Sequence, residues 1–366
     1  MGRLARGLRG QAGRMRVVDA AALAQHHHRG EPVRELRQPR PAAVVIGLLG
    51  CTQEAAVQHP GGPPLDEPRV EPLQPGGRLA GEGIDDEAVI IDYAQEVGIN
   101  MLDSANAYQG GRSEETLGKA LKGRWDRFML ATKFYMEVGP GPNDRGASRY
   151  HIMNAVEASL RRLQSDHIDL YYLHRPDPDT PIEETLRELD DLIRAGKVRY
   201  IGCSDFASWQ LAHANLMAEL KGWTPFVVIQ SEYNLFTREV EREVLPYCRA
   251  HNVGFVPYFP LAGGFLSGKY KRGQPAPAGS RGESSKYVQG FMTDANYDKL
   301  EKLTAWAEAR NRGLNELAQA WLIAQPQVCS VISGATKLEQ VQANVKAADW
   351  TMTEDEVKEV NAILGP

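Results

Sequence analysis

The sequence predicts an α/β protein with a (β/α)8 TIM barrel fold, and three observations support this class. From residue 85 onward, short apolar runs alternate with amphipathic helical segments, which is typical of a parallel sheet covered by helices. The chain has 366 residues, enough for one large α/β domain. No Gly-rich phosphate-binding turn follows an early strand, and this favours a barrel over an open doubly wound sheet.

Seven strands are predicted from residue 99 onward, each as a short apolar run bounded by turn residues. They are residues 99–105, 128–134, 168–174, 198–205, 226–233, 253–261 and 328–335. A helix is predicted over residues 85–98, before the first of these strands. Between the later strands, apolar residues recur at helical spacing, as in Ile152, Val156 and Leu160.

An eighth strand must come from upstream, because a barrel that lacked it would have an unpaired edge between strands 2 and 8. The only apolar β-branched run before residue 85 is 44–49, so we expect this segment to be strand 1. The barrel is therefore predicted to span residues 43–366. Its rim after strand 1, at residues 50–52, is a candidate ribose contact.

Residues 1–42 are predicted to be a poorly ordered N-terminal arm. Residues 1–92 contain no aromatic residue, the first serine is Ser104, and Arg, Gly, Pro and Ala dominate the arm. A misassigned start or reading frame upstream of about residue 80 explains this composition equally well. The three adjacent histidines at 26–28 cannot converge on one ion, so no metal site is predicted.

Composition excludes several partner classes. The net charge of −5 gives no reason to expect nucleic acid or an anionic membrane as a partner, and no apolar run is long enough to span a bilayer. The four cysteines have neither metal-ligand nor disulfide-like spacing, which suits a reducing, cytoplasmic location. They are Cys51, Cys203, Cys248 and Cys329.

Four ionisable side chains follow three consecutive strands: Asp103, Tyr108, Lys133 and His174. A barrel collects such residues at the carboxyl ends of its strands, where catalytic groups lie. A tyrosine has a pKa of about 10, but a neighbouring ammonium lowers it. We therefore expect Lys133 to activate Tyr108 as a proton donor, Asp103 to hold Lys133, and His174 to orient a carbonyl. The alternative is a buried Asp–Lys pair without function, which is uncommon.

From residue 85 to 364, these motifs resemble the aldo-keto reductase family. The resemblance implies that Asp103, Tyr108, Lys133 and His174 are the catalytic tetrad. It also implies that NADPH delivers hydride to an aldehyde or ketone while Tyr108, the general acid, protonates the oxygen. The family fold is a (β/α)8 barrel, which agrees with the alternation of strands and helices.

The resemblance further implies a cofactor site along the ends of strands 5 to 8. Its residues are Ser204, Asp205, Gln230, Tyr258, Phe259, Pro260, Leu261, Gly263, Lys269, Gly334, Thr336, Lys337, Gln340 and Asn344. Ser204 and Gln230 would bind the nicotinamide carboxamide, and Tyr258 would stack on the ring. Asp205 stands where the family usually has Asn, and a carboxylate cannot donate to the carboxamide oxygen.

The segments after strands 7 and 8 would hold the phosphates and the adenosine. Phe259 replaces a common serine, yet the backbone of residues 259–263 can meet the pyrophosphate, and Lys269 can neutralise it. Gly334, Thr336 and Lys337 would surround the 2′-phosphate, with Gln340 and Asn344 at the adenine. Many relatives carry Arg at position 336 and Glu at 343, where this chain has Thr and Ala, so the expected NADP(H) preference is modest and NAD(H) stays open.

Two other functions remain open. One is a non-catalytic NADP(H)-binding regulatory subunit on the same barrel, like the potassium-channel β-subunits that resemble this family; His174 in place of an amide favours the enzyme. The other is a metal-dependent hydrolase, but the rim carries one histidine. The substrate is expected to be a small carbonyl compound or alcohol, recognised by mobile loops at 135–149 and 262–293.

Overall fold

Eight parallel strands form a closed cylinder in the computed structural model, which describes residues 44–47 and 84–365. Their hydrogen-bonded order is β7-β6-β5-β4-β3-β2-β1-β8. Phe255 of β7 closes the ring: its N–H donates to Gln327 O at 3.1 Å, and its carbonyl accepts from Cys329 N–H at 3.0 Å. The strands are β1 (Val44–Gly47), β2 (Met101–Asp103), β3 (Met129–Phe134), β4 (Ile168–Leu173), β5 (Val198–Ser204), β6 (Val228–Glu232), β7 (Gly254–Tyr258) and β8 (Val331–Gly334). The predicted (β/α)8 barrel is confirmed.

Strand β1 lies between β2 and β8, where the sequence predicted the missing strand. Val44 pairs with Val331 of β8, and Gly47 pairs with both Gly334 of β8 and Asp103 of β2. The prediction that the run at 44–49 forms strand 1 is confirmed for residues 44–47. The predictions for the arm at 1–42, the histidines at 26–28 and the rim at 50–52 fall outside the described residues.

The other seven predicted strands are present with shorter ends. The prediction of 253–261 overshoots because the chain turns directly after Tyr258, where Phe259 has a φ of 54° and Ala262 a φ of 49°. Both angles are left-handed, which a strand cannot accommodate.

Twelve helices are described outside the cylinder. They are α1 (Ile84–Glu96), α2 (Arg112–Ala120), α3 (Arg149–Leu163), α4 (Ile182–Arg194), α5 (Ser208–Lys221), α6 (Val244–His251), α7 (Arg281–Ser284), α8 (Lys286–Phe291), α9 (Asp294–Glu308), α10 (Leu314–Ile323), α11 (Leu338–Ala348) and α12 (Glu354–Leu364). The prediction of 262–293 as a loop was wrong in part: it contains a 3-10 turn (Ala262–Ser267) as well as α7 and α8. None of the described helices is long and apolar enough to cross a bilayer.

The inside of the cylinder is packed by its own small apolar cluster. Its buried members are Met101, Ala131, Leu170, Tyr172, Val228, Val256 and Ile332. Gly202 makes room for Tyr172, since a Cβ at Gly202 would lie 2.6 Å from the Tyr172 ring. Because side chains alternate along a strand, Asp103, Lys133 and Gln230 point to the same interior face as this cluster, one step nearer the carboxyl ends. The candidate site therefore lies directly above a tightly packed apolar layer inside the cylinder.

Candidate active site

Lys133 is the centre of the candidate site. Its side chain is 0% exposed, and its Nζ donates to a carboxylate oxygen of Asp103 and, at 2.8 Å, to the carbonyl of Ser104. The hydroxyl of Tyr108 lies 3.4 Å from the same nitrogen. An ammonium has three donors, so these three oxygens account for all of them.

The loop after β2 is fixed to β3, and this brings Tyr108 back over Lys133. Ser104 N–H donates to Ala131 O at 2.9 Å, and Asn106 N–H donates to Lys133 O at 3.0 Å. Tyr108 then opens a 3-10 turn (Tyr108–Gly111). The position of the phenol is thus set by backbone hydrogen bonds that continue the sheet.

Burial and charge together set the protonation of this pair. Burial opposes the charge on Lys133, but Asp103 and Tyr108 outweigh it and raise the pKa of the ammonium. Burial also raises the pKa of Tyr108, and the opposing effect of Lys133 is smaller. The expected lowering by Lys133 is present, but burial outweighs it and holds the pKa of Tyr108 above its ordinary value, and burial was not visible in the sequence. Lys133 is charged and Tyr108 carries its proton at neutral pH.

His174, the fourth of the predicted catalytic residues, lies beside Tyr108. Its ring meets that of Tyr108 edge-on, with centroids 5.8 Å apart. Burial lowers the pKa of His174 well below its ordinary value, and the charges of Lys133 and Arg175 lower it further. The imidazole is therefore neutral and carries a single N–H donor.

Gln230 lies on the other side of Asp103. Its amide nitrogen donates to Asp103 Oδ2 at 3.1 Å, while Lys133 occupies Oδ1. The sequence suggested a nicotinamide contact for Gln230; the structure places it against the carboxylate of the tetrad. No local motif signals this contact, because Gln230 is 127 positions away from Asp103.

Asp205 and Tyr258 form a second polar pair beside the tetrad. The Tyr258 hydroxyl donates to Asp205, with distances of 3.0 and 3.3 Å to the two carboxylate oxygens. Asp205 directly follows β5 and has a left-handed φ of 57°. Burial raises the pKa of Asp205 to about 6, although Arg175 and Tyr258 oppose this rise. Sequence reasoning identified both residues but not their contact.

Comparison of the sequence with known proteins identifies its family. The model of the Aldo/keto reductase family matches residues 78–364. The chain belongs to the aldo/keto reductase family.

Three relatives show the range within the family. A protein of Arabidopsis thaliana named "Probable voltage-gated potassium channel subunit beta" is 39% identical over 267 residues, which cover 71% of this chain and 81% of the relative. An aldo-keto reductase of Bacillus subtilis is 36% identical over 297 residues, 79% of this chain and 87% of the relative. An L-glyceraldehyde 3-phosphate reductase of Escherichia coli is 32% identical over 276 residues, 72% of this chain and 79% of the relative.

Aldo/keto reductases are oxidoreductases that generally bind NAD(P)H, and the turn after β7 fits the phosphates of such a cofactor. Gly263 and Gly264 have φ values of 65° and 108°, and a Cβ at Gly263 would lie 2.7 Å from Val288. The Lys269 ammonium is 3.3 Å from where a Cβ at Gly264 would stand. A left-handed glycine turn beside an ammonium suits an anion. Buried Pro260 and half-buried Leu261 lead into this turn.

The segment after β8 has the features of an anion site as well. Gly334 ends β8, and exposed Lys337 is the N-cap of α11, where the helix dipole favours negative charge. The Gln340 side-chain oxygen accepts from Thr336 N–H at 2.7 Å.

The two remaining cofactor candidates are less accessible. Asn344 is buried, and its side-chain oxygen accepts a hydrogen bond from Gln319 at 3.1 Å. An adenine in contact with Asn344 would therefore also lie close to Gln319. Ser204 is also buried, and it ends β5 opposite Gln230. Most of the predicted cofactor residues thus lie in β5 or β6 or in the segments that begin at the ends of β7 and β8, whereas Gln340 and Asn344 lie in α11.

Proposed function

We propose that this aldo/keto reductase reduces an aldehyde or ketone with NADPH, and that Tyr108 is the general acid. The observation that carries the proposal is the buried Lys133 ammonium, shared among Asp103, the Ser104 carbonyl and the Tyr108 hydroxyl. Burying a charge this completely costs several kcal/mol unless it is paired. An arrangement with that cost, at the catalytic rim of a barrel, is typical of a functional site.

The residues divide the chemistry as follows. The coenzyme, when bound, would supply a hydride for the carbonyl carbon. The Tyr108 hydroxyl, protonated at neutral pH, gives its proton to the carbonyl oxygen as negative charge develops there. The Lys133 ammonium stabilises the phenolate left on Tyr108. His174 is neutral and close to Tyr108, so its N–H can hold the carbonyl oxygen in line with the phenol. In the reverse direction, the same phenolate accepts the proton of an alcohol.

The coenzyme preference belongs to the same proposal. Lys337 begins α11 and is exposed, which suits the 2′-phosphate of NADPH. NADH lacks this phosphate. We therefore expect NADPH to bind more tightly than NADH, by a modest factor because position 336 is Thr and not Arg.

The second candidate is an NADP(H)-binding regulatory subunit with slow turnover. The observation that favours it is the 39% identity with the relative named as a potassium channel subunit. Binding of coenzyme is common to both candidates, so it does not separate them. Rapid, carbonyl-dependent turnover separates them, because only the enzyme candidate requires it.

The test is a screen of aldehydes and ketones with NADPH or NADH, followed by absorbance of the reduced nicotinamide. The matched control is Tyr171→Phe, on the same scaffold, because Tyr171 is buried on the opposite face of β4 from the cylinder interior. Turnover that is lost in Tyr108→Phe and kept in Tyr171→Phe supports the enzyme. Tight NADPH binding without turnover on any carbonyl supports the regulatory subunit.

The buried cysteines are consistent with the reducing compartment that the cysteine spacing predicts. Cys203 and Cys248 are free and buried among the described residues, and burial raises the pKa of both thiols. Such thiols are protonated and unreactive at neutral pH. We propose a cytoplasmic enzyme that acts on small carbonyl compounds or alcohols, without nucleic acid or membrane partners.

A further inference from the structure

Asp205 is the one residue of the nicotinamide end whose charge differs from the family pattern. The resemblance implies a neutral amide at this position, and here a half-buried carboxylate accepts a hydrogen bond from the Tyr258 hydroxyl. Asp103, a buried carboxylate of the rim, is bonded directly to the Lys133 ammonium. Asp205 has no such partner: within the part of the chain that the structure describes, its ion pair is with Arg175 at 4.0 Å.

The groups that face Asp205 do not cancel its charge. Arg175 follows β4. Its side chain is 30% exposed and that of Asp205 is 24% exposed, so water weakens the attraction between them. Tyr258 on β7 donates a hydrogen bond but carries no charge. Glu232 at the end of β6 adds a second negative charge nearby, and it is itself fixed by Tyr287 and Thr237. The charge of Asp205 also contributes to the raised pKa of the Tyr108 phenol.

Asp205 lies where its charge can act on a bound nicotinamide ring. It directly follows Ser204 in the chain and holds the hydroxyl of Tyr258, and both residues belong to the proposed nicotinamide site. The nicotinamide ring is positively charged when oxidised and neutral when reduced. A half-buried carboxylate beside the site therefore attracts the oxidised ring through Coulomb energy and leaves the reduced ring almost unaffected.

We propose that Asp205 makes this cofactor site discriminate between redox states, favouring the oxidised nicotinamide over the reduced one. The inference rests on the proposed function, because it requires that the site bind the coenzyme. Relative to an amide at the same position, the carboxylate shifts the bound coenzyme toward the oxidised form. The bound reduced coenzyme thereby becomes a stronger hydride donor, and the equilibrium on the enzyme moves toward the alcohol and the oxidised coenzyme.

The discrimination should depend on pH, because burial raises the pKa of Asp205 to about 6. Above this value the carboxylate is charged and prefers the oxidised ring. Below it the neutral acid has no such preference, and its O–H can donate to the carboxamide oxygen as an amide does. The 2′-phosphate of NADP titrates in the same range, but it is present in both redox forms and cancels in their affinity ratio.

The experiment measures the dissociation constants of NADP+ and NADPH by calorimetry between about pH 5 and pH 8. In the wild-type chain, the ratio Kd(NADPH)/Kd(NADP+) should rise with pH through about 6. In Asp205→Asn, the ratio should fall roughly tenfold at the upper pH and lose its pH dependence. Asn tolerates the left-handed backbone at this position, so the variant should fold normally.

Tyr258→Phe is the matched control, because it keeps the carboxylate and removes the hydrogen bond that stabilises its charge. The high-pH ratio should be kept, and the midpoint of the pH dependence should move upward. An unchanged, pH-independent ratio in wild type and Asp205→Asn, with both coenzymes bound, overturns the inference and leaves the proposed function standing. A chain that binds neither coenzyme overturns both.

Discussion

The Lys133 ammonium lies 3.4 Å from the Tyr108 hydroxyl, and burial acts on these two residues in the same sense, against charge. Only Lys133 overcomes it, because it is bonded to Asp103 whereas Tyr108 is neutral in its stable form. The pair is therefore an ammonium beside a protonated phenol. The phenol becomes a stronger acid only to the extent that Lys133 stabilises the phenolate formed during the reaction.

Lys133→Met should reduce both turnover and stability. The phenolate loses its cation, and the Asp103 carboxylate is left buried without a charge partner, which costs about 3–5 kcal/mol of unfolding free energy. The double variant Lys133→Met/Asp103→Asn should regain most of the stability, as measured by urea unfolding, and none of the turnover. Recovery of turnover in the double variant would show that Lys133 acts only as a structural partner of Asp103.

His174 should stay uncharged across the neutral range. Burial lowers its pKa well below the ordinary value, so its ring NMR signals, assigned by their loss in His174→Gln, should not titrate between about pH 5.5 and pH 8. The unfolded chain binds a proton at this residue below about pH 6.5 and the folded chain does not, so stability should decrease as pH falls below that value. A His174 signal that titrates near pH 6.5 contradicts the neutral imidazole.

Lys337→Met should weaken NADPH binding and leave NADH binding nearly unchanged. Charge-assisted contacts contribute about 1.5–3 kcal/mol, and the low end applies to an exposed lysine, so the loss in NADPH affinity should be roughly tenfold, in line with the modest preference. Lys346→Met, an exposed lysine at the other end of α11, is the control. Equal effects on both coenzymes, or tighter binding of NADH by the wild-type chain, would remove Lys337 from the 2′-phosphate site.

Strand β1 should be indispensable. It pairs with β2 and β8, so deletion of residues 1–52 opens the cylinder and exposes two strand edges. We expect this deletion to abolish cooperative thermal unfolding and activity. Deletion of residues 1–40 keeps β1 and should leave both largely intact. A folded, active chain without residues 1–52 would contradict the assignment of Val44–Gly47 as β1.

The sequence predicted the elements and the residues of the site better than the contacts between them. Asp103, Lys133 and His174 were predictable because each stands at the end of an apolar run, and a parallel barrel collects such ends at one rim. Strand 1 was predictable because an open edge is costly. The contacts Gln230–Asp103 and Tyr258–Asp205 were not, since they join strands that are not adjacent in the sheet. The first depends on the cylinder bringing β2 and β6 together across its interior, and the second reaches from β7 past β6 to the end of β5.

The protonation states depend on the same long-range structure. The positions of these residues after neighbouring strands suggested only that Lys133 lowers the pKa of Tyr108, and that effect is present. Its competitor is burial, which comes from residues throughout the barrel and has no local signature. The raised pKa of Asp205 has the same origin.

The most direct test of the account is Tyr108→Phe, assayed for carbonyl-dependent oxidation of NADPH and, separately, for NADPH affinity by fluorescence titration. Removing the proton donor should lower turnover on the order of 10²-fold or more while the dissociation constant of NADPH stays nearly unchanged. Turnover equal to that of the wild-type chain would contradict the assignment of Tyr108 as the general acid.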